Sequence, residues 1–174
     1  NLIKIAIREL IKGNWDHLDI DFMSKKLKVT PEIILSHCTS KNDLLDMWSN
    51  NINHEMLNNI SYKELKKVSI KERLLEIMLC RFDVLSEKSK EVNALVNLSK
   101  SNLIEGKRSL TRIYNAMELI CNCACVSTKG SKGFLNVKAL SIIWLLVFRE
   151  WYKTGMNNED VLLSQLDKNL VLAE

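Results

Sequence analysis

Three cysteines, Cys121, Cys123 and Cys125, form the densest group of ligand-type side chains in the chain. Thiolates hold soft metals such as zinc or copper(I). On a helix, however, Cys121 and Cys125 share a face while Cys123 points well away. One helix cannot close three sulfurs around one ion, and no histidine lies nearby. Core packing at a close helix contact is the reading this spacing favours, since cysteine is small and readily buried. A metal or redox centre would need Cys80 or another helix to complete it. His17, His37 and His54 stand in no nucleophile or metal spacing. The sequence holds no glycine-rich phosphate loop, no H-E-x-x-H and no G-x-S-x-G. No catalytic residue, metal or cofactor is therefore expected, and the chain reads as a non-enzyme.

With 174 residues, 47% of them hydrophobic, the chain can bury a real core. One proline and five glycines leave no room for a turn-rich β-sandwich. An odd number of cysteines, three of them crowded, makes a poor disulfide framework and suits a reducing cytosol. There is no signal-peptide pattern. The apolar run Trp144 to Phe148 is far shorter than a bilayer span. A cytoplasmic location without a membrane span is expected. The chain opens on Asn rather than Met, so the start of the natural chain, and with it any basic arm, is expected to lie outside this sequence. The net charge is +4, but its distribution says more. Among residues 1–50, Lys4, Arg8, Lys12, Lys25, Lys26, Lys28 and Lys41 are cancelled by Glu9, Asp16, Asp19, Asp21, Glu32, Asp43 and Asp46. Phosphate binding draws on Lys and Arg, so this balance counts against strong nucleic-acid affinity in the N-terminal part.

The elements that would position any site follow from helical spacing. Ile3, Ala6, Ile7, Leu10 and Ile11 predict a first helix over Leu2–Lys12, closed by Gly13 at a position that wants φ > 0. Asn14 to His17 form a turn that folds Trp15 back onto that helix. Asp19 caps a second helix, Ile20–Leu27, with Ile20, Met23 and Leu27 on one face. Thr30 caps the third and Pro31 fills its first position; Ile33, Ile34 and Cys38 are expected inward. Two short helices joined by a tight turn, here at Lys28-Val29, make a helix-turn-helix unit, whose second helix usually enters the DNA major groove. Ser40-x-x-Asp43 is a capping box. It opens a helix through Leu44, Leu45, Met47, Trp48 and Ile52 to about Asn59. Ser69-x-x-Glu72 opens another. A shorter segment over Glu91–Leu98 and a long helix over Ser101–Val126 follow. Thr128 to Gly133 reads as a flexible loop and Phe134 to Tyr152 as the most apolar helix. Asn157 or Asn158 caps the last helix, with Val161, Leu162, Leu166, Leu170 and Leu172. No period-two stretch argues for a strand. The expected fold is all-α with about nine helices: a three-helix head over residues 1–46 and a helical body over 47–174.

The stretch Ile20–Leu45 resembles the head of the tetracycline-repressor (TetR) family, V-x-x-I-A-x-x-A-G-V-S-x-x-x-[LI]-Y-x-H-F-x-[SN]-K-x-x-L. Ile20, Met23, Ser24, Leu27, Val29 and Thr30 fill its first part. Ile34, His37, Ser40, Lys41 and Leu44 fill its second. Lys28 stands where the family has its turn glycine, Leu35 where it has tyrosine and Cys38 where it has phenylalanine. The turn Gly13-Asn14-Trp15 is similar to that of a sister group, the lipid-binding proteins of ubiquinone biosynthesis, which keep the TetR fold without clear DNA readout.

The resemblance implies a dimeric transcriptional regulator that binds double-stranded DNA and responds to a small apolar ligand. It puts Thr30, Pro31, Glu32, Leu35, Ser36 and His37 toward DNA, with Lys25, Lys28 and Lys41 on flanking phosphates. The third helix carries no outward Arg, Lys, Asn or Gln, the residues that supply most bidentate base readout. A ligand cavity would be lined by Met78, Phe82, Leu85, Leu98, Tyr114, Met117 and Cys121. Trp144, Phe148 and Trp151 make an aromatic stripe at i, i+4 and i+7. The stripe reads as core or as a dimer interface. With Leu140, Val147, Leu162, Leu166 and Leu170 it would form a four-helix seam between two subunits. The alternative function is a lipid- or isoprenoid-binding protein whose head no longer reads DNA.

Overall fold

The computed structural model describes residues 1–171; Leu172 lies outside them. Among these the chain forms α1 (Leu2–Ile11), a 3-10 turn (Trp15–His17), α2 (Ile20–Leu27), α3 (Pro31–Leu35), α4 (Lys41–Asn59), α5 (Tyr62–Leu65), α6 (Ile70–Ser86), α7 (Ser89–Ser101), α8 (Leu103–Cys123), α9 (Gly130–Lys153) and α10 (Glu159–Val171). The single turn of α5 is the helix that periodicity does not reveal, being too short to show a period.

Local stops shape the N-terminal helices. Gly13 takes φ +78° after α1. Asn14 then turns back, its N–H donating to the Glu9 carbonyl at 2.9 Å and its side-chain amide to the Glu9 carboxylate at 3.0 Å. Trp15 is thereby buried with Ala6, Ile7, Leu10 and Met23. The Asp19 carboxylate accepts the Phe22 N–H at 2.7 Å and caps α2. α2 ends at Lys28, whose backbone is left-handed (φ 56°, ψ 44°). A side chain costs about 1–2 kcal/mol there, which is why glycine suits this turn. Thr30 is extended and Pro31 starts α3, which lasts five residues. Asp43 then accepts the N–H groups of Thr39 and Ser40 at 2.8 and 2.9 Å, fixing the start of α4.

α4 belongs to two clusters of buried side chains. Leu44 and Leu45 join the N-terminal one; Ile52 and Met56 join a larger one built by α4 to α10; Trp48 packs against both. At the centre of the larger cluster Phe82 stacks on Trp144 (4.3 Å between centroids) and meets Trp151 edge-on (5.0 Å).

Four expectations are corrected. Ile33 is exposed, because α3 is so short that only Ile34 reaches the core. The helix expected over Ser101–Val126 is split: Ser101 closes α7, and extended Asn102 caps α8 by accepting the N–H groups of Ile104 and Glu105. The glycine-rich segment is only partly loop, since α9 begins at Gly130. Gly133 lies buried within α9, where a Cβ would sit 2.1 Å from the Thr128 carbonyl carbon. Finally, α9 is long and apolar enough by composition to cross a bilayer, with mean hydropathy 1.4 over eighteen residues. Its apolar residues are interleaved with Lys, Asn and Ser, so no unbroken run reveals it. It packs against α8 and α10, and the core helix of a bundle passes the same test.

Candidate functional site

The face of α3 is open. Thr30, Pro31, Glu32, Leu35, Ser36 and His37 are all exposed, as are Lys25 and Lys28 on the preceding helix and turn. The Thr30 hydroxyl and the Glu32 N–H hold the Glu32 carboxyl below its usual range, so it is ionised at neutral pH and repels phosphate. Ser36 Oγ donates to the Ile33 carbonyl at 2.8 Å, and His37 Nδ1 lies 2.8 Å from the same oxygen. A carbonyl only accepts, so Nδ1 carries the proton. Nε2 is then the ring nitrogen not engaged by that carbonyl. Ile33 and Leu35, about half exposed, add apolar surface of the kind that meets thymine methyl groups.

Lys41 is placed differently from expectation. Its Nζ donates to the Trp15 carbonyl at 2.6 Å and lies 5.4 Å from the centre of the Trp15 ring. It clips α4 to the turn after α1 instead of projecting toward a phosphate. Sequence could not show this, because the carbonyl it meets lies on another element.

The seven residues expected around a ligand do not converge. Met78, Phe82 and Met117 are fully buried in the body core and Tyr114 packs against it, while Leu98 packs on the N-terminal cluster. Cys121 borders a small cavity of about 160 Å³ between α6, α8, α9 and α10. Only Leu85 lines the larger apolar cavity, about 300 Å³, enclosed by α4, α6, α7, α8 and α9. Its wall includes Trp48, Arg81, Val92, Leu95, Val96, Ile113, Trp144 and Phe148. Core packing claims the residues nearest the bundle axis, so the cavity falls toward the side where α7 crosses.

Arg81 is unusual in that wall. Its side chain is 5% exposed, its Nη1 donates to Asn53 Oδ1, and its Nε has no partner. Its guanidinium carbon lies 5.4 Å from the centre of the Trp144 ring, and burial pulls its pKa down to about 10. Arg112, the other guanidinium there, is held by Asp46 at 2.5 Å and Glu105 at 3.6 Å.

The expected seam between subunits is also displaced. Leu140, Trp144, Val147, Trp151, Leu162, Leu166 and Leu170 are buried inside one chain, and Phe148 lines the cavity. What α9 and α10 leave bare is the opposite side: Phe134, Leu135, Ile142, Leu146 and Leu163 are 46–63% exposed. Both sides of α9 are apolar in sequence; the bulkier aromatic side fills the bundle.

The cysteines do not converge either. Cys121 is buried, Cys123 is half-buried beside the Tyr62 hydroxyl (3.9 Å), and Cys125 is exposed with φ 63°. Burial pushes the Cys121 thiol up to about 11 and raises that of Cys123, so neither is a ready thiolate. Among the described residues no three His, Cys, Asp or Glu side chains could hold a metal ion.

No protein-family model matches the sequence. No curated protein matches it either. The structure is similar to the crystal structure of the TetR transcriptional regulator from Nitrosomonas europaea ATCC 19718, at TM-score 0.66 and 16% identity, over 99% of this chain and 95% of that one. The described residues therefore have an all-α, TetR-like fold.

Proposed function

We propose that this chain is a cytoplasmic, homodimeric TetR-like transcriptional regulator, with a DNA-binding head (1–46) and a ligand-binding and dimerisation body (47–174). The observation that carries this is an open helix-turn-helix: the side of α3 away from Ile34 is uncovered, and Lys25, Lys26 and Lys28 on α2 and the turn after it are exposed. Two heads would read half-sites about 34–36 Å apart on a palindrome. With no outward Arg or Gln on α3, sequence preference rests on Thr30, Ser36, His37 and apolar contacts from Ile33 and Leu35. The bare side of α9 with Leu163 of α10 is an exposed apolar surface that would meet its own copy in a two-fold dimer.

Residues shared by cavity and head support a route for signal transfer. Trp48 lines the body cavity and also packs against the head, and its indole N–H donates to Glu91 of α7. Leu95 of α7 likewise lines the cavity and packs on the head cluster. A ligand that fills the cavity acts on α4 and α7 together, shifting the population between two head separations. Selection of bound sequences from random duplex DNA tests this reading: a palindromic consensus supports it, and no enrichment overturns it.

A second reading, a lipid- or isoprenoid-binding protein of this fold without DNA readout, is favoured by one observation. The head carries no surplus positive charge, and its best-placed phosphate lysine, Lys41, is committed to Trp15. Co-purified lipid together with no DNA shift at low salt would select that reading.

A further inference from the structure

We infer that the body cavity takes an amphiphilic acid, a single apolar chain ending in a carboxylate or phosphate monoester, with the anion seated on Arg81. This rests on the reading of the body as a ligand-binding domain and names the class of ligand. Arg81 is a buried cation with no ion-pair partner among the described residues. Its one side-chain hydrogen bond is to Asn53, which is neutral, and its Nε stays unpaired beside the cavity. A buried charge is retained at large cost unless an opposite charge meets it. Arg112 lines the same cavity and also has unpartnered nitrogens, Nη1 and Nη2, but its charge is already met by the carboxylates of Asp46 and Glu105. A ligand anion would supply what Arg81 lacks, and a planar guanidinium suits carboxylate and phosphate oxygens.

The rest of the wall fixes the remainder of the ligand. Leu85, Val92, Val96, Ile113 and Phe148 offer apolar surface, with Ser49, Ser99, Lys100 and Ser109 on the same wall. The cavity of about 300 Å³ holds on the order of ten groups at about 30 Å³ each. That is the length of a medium chain. Leu110 and Leu145, both lining the cavity yet largely exposed, mark where it opens.

The test is titration of the full chain with decanoate, decyl phosphate and 1-decanol, followed by tryptophan fluorescence, since Trp48 and Trp144 line the cavity. At least one acid is expected to bind tenfold or more tighter than the alcohol. Whichever acid binds tighter identifies the head group. Arg81→Met is expected to erase that preference while keeping decanol binding, and Arg81→Lys to retain part of it. Equal binding of acid and alcohol, no binding of any of the three, or a preference that survives Arg81→Met overturns the inference. Should Arg81→Met not fold, the wild-type comparison and Arg81→Lys decide. The outcome is separable from the regulator reading. A chain that selects a DNA palindrome but binds no acid defeats only the ligand class. A chain that binds acids but selects no DNA defeats only the regulator.

Discussion

Replacing Lys41 by methionine separates structure from DNA binding. The substitution keeps the length of the stem and removes the ammonium that bonds to the Trp15 carbonyl at 2.6 Å and lies over its ring. A hydrogen bond from a charged group contributes about 1.5–3 kcal/mol, and a partly exposed cation–π contact about 0.5–1 kcal/mol. Lys41 is half-buried, so the lower ends apply and the loss is about 2 kcal/mol. For a chain of this size that lowers Tm by about 4–8 °C. Thermal melts followed by circular dichroism measure it. In parallel, the slope of log affinity against log salt on duplex DNA is expected not to change, because the ammonium faces a carbonyl and not a phosphate. An unchanged Tm with a slope reduced by about 0.9 per head would refute the reasoning and return Lys41 to the DNA.

Ile142→Glu sets a carboxylate on the bare side of α9 while leaving the fold of one chain intact; the dimer is expected to weaken by at least about a hundredfold, like charges at an interface costing several kcal/mol, as read by sedimentation. Gly133→Ala places a Cβ 2.1 Å from backbone, so the helix-propensity gain of about 1 kcal/mol is outweighed and Tm falls by several degrees. Asp43 has its pKa lowered from 3.8 to about 2 by the Thr39 and Ser40 hydroxyls and N–H groups. A depressed folded pKa stabilises above the unfolded value, and that contribution is lost as pH falls through the folded one. Asp43→Asn is therefore expected to cost about 1 kcal/mol at neutral pH and to flatten the acid loss between pH 4 and 2 in pH-dependent melts.

The parts legible in sequence were those decided within four residues. Gly13, the Asp19 cap, Pro31 and both capping boxes set real boundaries because the interacting groups are adjacent in the chain, whereas the Thr30 side chain makes no cap bond to α3. The break at Asn102 does carry a local signal, since asparagine is favoured at an N-cap over a helix interior and Glu105 stands three residues on. Long-range choices were not legible. Leu140, Trp144 and Val147 and, on the other side, Ile142 and Leu146 are equally apolar in sequence; only packing decides which side the bundle takes. The cavity draws on five helices, so its wall cannot be read from any one of them. Arg81 looks like a surface cation in a helical segment until the fold buries it. The open α3 face was legible, whereas the diversion of Lys41 was not, since its partner depends on how the turn after α1 folds.

The claim on which the rest depends is that a head without surplus charge, once paired, still holds duplex DNA. Fluorescence anisotropy of the full chain on a labelled duplex, titrated with salt, tests it most directly. Two heads present six lysines at Lys25, Lys26 and Lys28, so the predicted slope of log affinity against log salt is about −5, falling to about −2 in the Lys25→Ala, Lys28→Ala double variant. No binding at about 50 mM salt, or a slope that the double variant leaves unchanged, would contradict the account.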